Sequence, residues 1–319
     1  MKIQDFIVIS NLTIGVTTVA FSKDKELVSH LKNMGFKKVL FNEPKRRFTQ
    51  EELIDFLSQC DVAIVGLDKI TEEVLSKVPN LKAISKYGVG LDNIDFKACQ
   101  KYGVEVLHTP GVNKRSVSEQ ALACMLMLSR NLYVTANDLK NGVWNKSGGT
   151  QLSNKTVGII GVGNIGKDLI ELLKPFHCKI LVNDILDQSQ YYNEHNLYEV
   201  SKEELFREAD IISLHTPLTD ELRYIINKDS LALMKPSTII INTARGGLVN
   251  QDDLKEALVS GIIGGAAVDA YEMEPPTDKE FLSIPNLIAT PHIGGNAKEA
   301  VDAMGEAAIE NIVKWIREK

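Results

Sequence analysis

The chain has 319 residues, 44% apolar and 24% charged, a globular balance that excludes disorder and fibrous repeats. One hydrophobic core rarely serves that length, so two domains are expected. Its formal net charge is −6, residues 1–105 carry 15 basic against 14 acidic groups and the remainder 21 against 28, and this excludes a basic nucleic-acid-binding domain.

The N-terminal MKIQDFIVIS has Asp5 where a signal peptide needs an apolar stretch. Short apolar runs then alternate with helical patterns. The first series of strands is Leu12–Thr18, Val39–Phe41, Val62–Val65, Lys82–Ser85 and Val104–His108. Amphipathic stretches at 24–34 and 50–58 lie between them, the second opened by a Thr49-x-x-Glu52 capping box. A short basic run, Lys45-Arg46-Arg47, is soon followed by Glu51-Glu52. One long helix is expected from about Val117 to Asn141. It contains the best apolar run, the eight residues 121–128, far short of the roughly 18 that span a bilayer.

A second series follows: Thr156–Ile160, Lys179–Asn183, Ile211–Leu214, Thr238–Asn242, Gly265–Val268 and Leu287–Thr290. Strands separated by helices in this rhythm give right-handed βαβ units and parallel sheets, and these six strands fit one complete doubly wound domain. Segment 297–317 is a single amphipathic helix with no sheet downstream, and is expected to pack back on the first domain. The cysteines Cys60, Cys99, Cys124 and Cys178 form no CxxC pair. They read as buried free thiols in a reducing compartment, with no metal site, in a cytoplasmic protein with no membrane association.

Strand 156–160 runs into Gly161-Val162-Gly163-Asn164-Ile165-Gly166 and then a helix. In that setting Gly161 permits the tight turn, Gly163 lets backbone approach a pyrophosphate, and Gly166 lets the helix pack closely. The helix N-terminus offers N–H groups to phosphates. Asp184 ends the next strand, 18 residues after Gly166, near the spacing of a ribose-binding acid. Ile185 and Leu186 follow it, with no cation for a 2′-phosphate, so NAD is favoured over NADP. Ligands of such sheets bind beyond the carboxyl ends of the strands. Those ends here carry Gly161, Asp184, His215-Thr216-Pro217, Thr243-Ala244-Arg245, Asp269 and Pro291-His292.

The segments KYGVGLDNID (86–95), HTPGVN and SVSEQAL (108–122), GVGNIG, LHTPLTDELRYIIN (214–227), INTARGGLVN (241–250), AAVDAYEMEPP (266–276) and TPHIGG (290–295) occur in order. With them the chain resembles the D-isomer-specific 2-hydroxyacid dehydrogenases, most closely their D-3-phosphoglycerate dehydrogenase branch. The resemblance implies an α/β fold of two domains. A Rossmann-type doubly wound parallel sheet for NAD would occupy 108–295, and a smaller flavodoxin-like α/β substrate domain 1–107 with 296–319. It further implies Arg245, Glu274 and His292 as a catalytic trio: a bidentate clamp for the acid that polarises the oxo group, an acid that orients the imidazole, and the proton carrier. Glu272 is a rival for Glu274. Asp269 would meet the nicotinamide carboxamide, or simply cap the loop after it. Asn164, Ile165, His215, Thr216, Pro217, Thr243, Ala244 and Gly294 would complete the cofactor site. Val89 and Gly90 would receive the substrate carboxylate, with Lys86 and Asn113 nearby. Domain closure would exclude water, and a homodimer would form through the nucleotide domain, with helix 117–141 as its arm.

Two departures bear on the substrate. Gly66-Leu67-Asp68 stands where phosphoglycerate dehydrogenases often carry an Arg, although Lys86 and Lys69 keep positive charge near. The chain also stops at 319, without the extension some relatives use to sense serine, so no serine feedback is expected. D-3-phosphoglycerate and its 2-oxo acid, a step of serine biosynthesis, remain the leading pair, ahead of glyoxylate or hydroxypyruvate reduction. Formate dehydrogenases carry Gln at the position of Glu274 and are disfavoured. An NAD-sensing corepressor-like interaction module would keep the same trio.

Overall fold

The structure, a computed structural model, describes residues 9–319; the first eight, Asp5 among them, lie outside the described residues. Two compact units are present. One runs to Asn113 and takes in Asn296–Lys319, and the other is Lys114–Gly295. The chain thus passes from one to the other after Asn113 rather than after residue 107. Segment 108–113 stays with the first unit in part because Thr109 and Asn311, on the helix Lys298–Arg317, exchange hydrogen bonds through Oγ1, Oδ1 and Nδ2 at 3.1–3.3 Å.

The first unit is built on the strands Thr13–Val16 (β1), Lys38–Phe41 (β2), Val62–Val65 (β3), Ala83–Lys86 (β4) and Glu105–Leu107 (β5). They pair in parallel in the order β2-β1-β3-β4-β5, the flavodoxin-like order. Both faces are covered, which is why the central strands read as unbroken apolar runs. Ile14, Val16, Val62 and Ile64 pack with Ala308, Ile309, Ile312 and Trp315 of the helix Lys298–Arg317. On the other face Ala63, Val65 and Ile84 meet Leu53, Leu57 and Cys99. The buried Ser85 hydroxyl donates to the Ala308 carbonyl at 2.8 Å, fixing the returning helix on β4. The capping box at Thr49 and Glu52 opens the helix Gln50–Ser58 as expected.

The second unit holds Thr156–Ile160 (β6), Lys179–Asn183 (β7), Tyr198–Glu199 (β8), Ile211–Leu214 (β9), Ile239–Asn242 (β10), Gly265–Val268 (β11) and Leu287–Ala289 (β12). All are parallel, in the order β12-β11-β10-β9-β6-β7-β8. That is the doubly wound order, reversing direction between β6 and β9, with one strand added. Alternate residues serve opposite faces: Ile240 joins one core, Ile239 and Ile241 the other.

Two expectations are corrected. The sheet has a seventh strand, β8, whose two exposed residues carry no apolar alternation. The single helix over 117–141 is two, Lys114–Ser129 and Leu132–Lys140. The first ends where segment 147–150 meets it at Ser129 and Asn131. Thr150 N–H donates to the Ser129 carbonyl at 2.7 Å, Asn131 Nδ2 to the Ser147 carbonyl at 3.0 Å, and Asn131 turns left-handed at φ 54°. The four cysteines are unpaired, with Cys60, Cys99 and Cys124 buried and Cys178 only partly so. Burial pushes the Cys60 thiol up to about 12 and those of Cys99 and Cys124 to about 11, so they stay protonated. Among the described residues, no helix is long and apolar enough to cross a membrane.

The returning helix touches the helix Lys25–Asn33 at Gly305, where a Cβ would lie 2.2 Å from Leu27 Cδ1. Leu27 is itself buried and has little room to yield. Gly305→Ala should therefore destabilise the protein by roughly 1–3 kcal/mol by overpacking, despite the better helix propensity of Ala. In urea denaturation the double variant with Leu27→Ala should lose less than the sum of the two single losses.

Candidate active site

Three glycines shape the loop after β6, each for a different reason. Gly161 has φ 95° and faces the His215 carbonyl, which a Cβ would approach to 2.6 Å. Gly166 lies so close to the Gly161 carbonyl that a Cβ would come within 2.2 Å of it. At Gly163, the N-cap of the helix Asn164–Leu173, a Cβ would meet no atom within 4 Å and no side chain caps the helix among the described residues. Gly163 and Asn164 are exposed and Ile165 half-buried, so the amide-bearing end of this ten-residue helix is open to an anion.

Asp184 secures that loop. Its Oδ2 accepts from Val162 N–H at 2.6 Å and its Oδ1 from Leu186 N–H at 2.9 Å. A carboxylate has about four acceptor sites, which leaves capacity for ribose hydroxyls, and its neighbours Ile185 and Leu186 are exposed apolar residues. At the ends of β9 and β10, His215 Nδ1, Thr216 Oγ1 and Thr243 Oγ1 are buried polar atoms with no hydrogen-bond partner among the described residues. Such atoms are costly unless a ligand completes them. Ala244 is buried beside Thr243 and Pro217 is exposed. Open helix amides, an approachable glycine, an acid at the end of β7 with acceptor capacity to spare and orphaned polar atoms together fit a dinucleotide.

Beyond β11 and β12 lies the second half of the site. Asp269, 1% exposed, accepts from Thr290 Oγ1 at 2.6 Å, Ile293 N–H at 2.9 Å and Gly294 N–H at 2.8 Å. Its carboxylate therefore caps the loop 290–294, which follows β12 rather than Asp269 itself. That loop holds His292 at φ 52°, a left-handed conformation rare outside glycine. His292 Nδ1 meets both carboxylate oxygens of Glu274, at 2.8 and 3.0 Å. Tyr271 fixes the approach: its N–H donates to Glu274 Oε1 at 3.1 Å, and its hydroxyl to the Val268 and Thr290 carbonyls. Glu272, the rival acid, is turned to Tyr224 Oη at 2.7 Å and Arg223 at 3.7 Å.

Arg245 follows β10. Asn242 braces its backbone, Nδ2 donating to the Arg245 carbonyl at 2.9 Å and Oδ1 accepting from Ala244 N–H at 3.1 Å. Next to it Gly246 abuts the Tyr271–Glu272 backbone, 2.0 Å from where a Cβ would stand. Residues outside the expected set also act here: Gln120 donates to Thr290 Oγ1 at 3.0 Å and Ser116 to the Gly294 carbonyl at 2.6 Å. Tyr271, Gln120 and Ser116 lie within or beside segments already singled out, but nothing in their spacing announces these contacts.

In the first unit Lys86 is only 4% exposed. Its ammonium donates to the Gly66 carbonyl and to Asn93 Oδ1, so it ties the loop after β3 to the loop after β4. Val89 and Gly90 are half-buried in the latter loop. Asn113 closes this unit with a buried Oδ1 that lacks a partner among the described residues.

The sequence model described as "D-isomer specific 2-hydroxyacid dehydrogenase, NAD binding domain" matches residues 122–294. The chain belongs to this family. It is an NAD-dependent dehydrogenase of 2-hydroxy acids, with its NAD-binding domain in the second unit. A hydroxypyruvate reductase of Thermotoga maritima is 39% identical over 287 residues, 86% of this chain and 93% of that one. A D-3-phosphoglycerate dehydrogenase of Methanocaldococcus jannaschii is 38% identical over 273 residues, 84% of this chain; the chain spans about half, 52%, of that relative's length. Among solved structures, the D-lactate dehydrogenase of Aquifex aeolicus complexed with NAD and lactic acid superposes with a TM-score of 0.81. It is 29% identical, over 96% of both chains.

Two outcomes follow from the dehydrogenase geometry. Burial lowers the His215 imidazole to about 4, so the folded protein keeps it neutral where the unfolded chain, near 6.5, binds a proton. A lowered histidine contributes stability that is present above 6.5 and is lost as pH falls towards 4. Between pH 7 and pH 5 that loss is about 2 kcal/mol. His215→Gln should flatten this part of the stability profile in urea titrations, and an unchanged slope would refute the assignment. Gly246→Ala must push the Tyr271–Glu272 backbone, and Glu274 with it, away. Misplacing a catalytic group by about 1 Å costs on the order of a hundredfold. The variant should lose kcat to that extent while binding NADH as before.

Proposed function

We propose that the protein interconverts a D-2-hydroxy acid and its 2-oxo acid, with D-3-phosphoglycerate and 3-phosphohydroxypyruvate as the leading pair. The observation that carries the reaction is the His292–Glu274 pair at 2.8 Å on the same sheet edge as Arg245. The Arg245 guanidinium clamps the substrate carboxylate and draws electron density from the neighbouring oxygen. With Nδ1 on Glu274, His292 exchanges a proton with that oxygen through Nε2, accepting it in oxidation and donating it in reduction. Glu274 sets the ring's tautomer and offsets the charge of the protonated ring. NAD, held by residues 161–166, Asp184 and the ends of β9 and β10, supplies the hydride acceptor.

Hydroxypyruvate or glyoxylate is the second reading. It is supported by the burial of Lys86, whose ammonium is already engaged by Gly66 and Asn93, and by the Thermotoga relative. The first unit, with Val89, Gly90 and Asn113, is proposed as the substrate domain. A homodimer is proposed through the segment around Leu132–Lys140, where Leu132, Leu139, Val143 and Trp144 are exposed. A cytoplasmic location suits the four unpaired thiols.

NADH oxidation should be followed with glyoxylate, hydroxypyruvate, phosphohydroxypyruvate and 2-oxoglutarate. Turnover is expected with the three-carbon acids. His292→Ala should lower kcat by roughly 10²–10⁴ in both directions, and Glu274→Gln by about tenfold or more, with NADH affinity nearly unchanged. Tight NADH binding without turnover of any 2-oxo acid would instead favour an NAD-sensing interaction module.

A further inference from the structure

The basic run Lys45-Arg46-Arg47 has no part in the reaction described above, and its two arginines are treated differently by the fold. Arg46 forks onto Glu52, Nη1 to Oε2 at 2.8 Å and Nη2 to Oε1 at 2.5 Å. Glu52 also accepts from Thr49 N–H, and the Arg46 guanidinium and that amide hold its carboxyl down to about 2. Arg46 is thus neutralised and closes its loop onto the helix Gln50–Ser58. Arg47 is exposed and pairs with no carboxylate among the described residues; it reaches across to the Leu67 carbonyl at 3.5 Å.

That reach places it at the carboxyl edge of the first sheet, where parallel sheets bind ligands. The loops at this edge form one hydrogen-bonded body. Asn42, 1% exposed, donates to the Thr17 carbonyl at 2.6 Å and the Arg46 carbonyl at 2.9 Å, pinning the loop after β2 to the end of β1. Thr17 donates to Asp68 Oδ2 at 2.5 Å, and Asn93 Nδ2 to the Asp68 and Gly66 carbonyls at 2.5 and 3.1 Å. Lys86 completes the link from Gly66 to the loop that carries Val89 and Gly90. On the far side of Arg47, the Phe48 ring packs on Phe56 at 5.1 Å. The backbone flanking Arg47 is therefore anchored, by Asn42 on one side and by the Phe48–Phe56 contact on the other, so less conformational freedom of the chain is lost when its guanidinium binds.

We infer that Arg47 recognises a phosphate monoester at the end of the substrate remote from its carboxylate. This rests on the dehydrogenase reading and deepens it. A guanidinium has five donors in a planar fork suited to phosphate, and the Leu67 carbonyl uses one of them. Lys86 cannot do the same work without leaving its buried partners, whereas Arg47 needs no such rearrangement. Strands lie about 4.8 Å apart, so an acid seated at the loop after β4 extends by its own length to the end of β3, where Arg47 stands.

The test compares the parent enzyme with Arg47→Ala and Arg47→Lys on phosphohydroxypyruvate and on hydroxypyruvate at saturating NADH, with unchanged melting temperatures as the control for folding. Arg47→Ala should raise KM for phosphohydroxypyruvate about ten- to a hundredfold, the cost of a charge-assisted contact, and shift that for hydroxypyruvate by less than about twofold. The kcat values should hold, and Arg47→Lys should recover part of the loss. Equal effects on both acids would overturn the assignment. So would a parent enzyme that reduces hydroxypyruvate but not its phosphate, and in that case the dehydrogenase reading survives. A folded, NADH-binding parent that reduces neither acid would remove both.

Discussion

Much of the site depends on one buried carboxylate. Asp269 stands at the end of β11 with almost no exposure and receives three donors, all from the loop 290–294. A carboxylate in that setting must have its acceptors satisfied, and consecutive amides are well suited to the task. The same three bonds bend the chain so tightly that His292 is left at φ 52°. Left-handed strain of this kind costs on the order of 1–3 kcal/mol. Hydrogen bonds to a charged acceptor contribute about 1.5–3 kcal/mol each, so three of them outweigh it. The imidazole is thereby fixed by backbone geometry before any partner acts on the ring.

The choice between the two nearby acids is then decided by surroundings. Glu272 and Glu274 share a loop, yet Glu272 lies against Tyr224 and Arg223, which draw its charge away from the imidazole. Tyr271 hands its amide to Glu274 and its hydroxyl to the carbonyls of Val268 and Thr290. Burial, reinforced by the charges of Asp269 and Glu274, pushes the Tyr271 phenol up to about 12, so it stays a donor at working pH. The backbone beside Gly246 sets how near the Arg245 loop comes to this acid.

The sequence made the sheets legible because β3, β6, β9 and β10 are covered on both sides, and such strands must be apolar throughout. The glycine loop was legible for a similar reason, since each of its glycines answers a steric demand. What escaped was set by contacts between distant residues. The helix ends at Ser129 because Thr150 N–H takes the Ser129 carbonyl while the Ser147 carbonyl accepts from Asn131, and no local pattern reports that. A two-residue strand such as β8 has no periodicity to read. The residue type of Lys86 announces only a cation near the substrate, while the fold gives its ammonium to Gly66 and Asn93. Neither Gln120 nor Ser116 could be assigned a partner 170 or more residues away.

Those two side chains share a helix with the partners of another buried acid. From the start of Lys114–Ser129, Arg115 Nε meets Asp168 Oδ2 at 2.9 Å and Ser118 donates to the same carboxylate at 2.5 Å. Asp168 is 7% exposed and lies on the helix that follows the glycine loop. A carboxylate buried to that degree would be strongly destabilising alone. The guanidinium and hydroxyl make it tolerable, and they dock the helix Lys114–Ser129 on the helix Asn164–Leu173. The same first turns hold Thr290 and Gly294 through Gln120 and Ser116. One rigid element thus sets the distance between the open N-terminal end of the helix Asn164–Leu173 and His292. Hydride transfer needs that distance fixed to within a fraction of an ångström, and a single stiff helix achieves this where two independent loops would not.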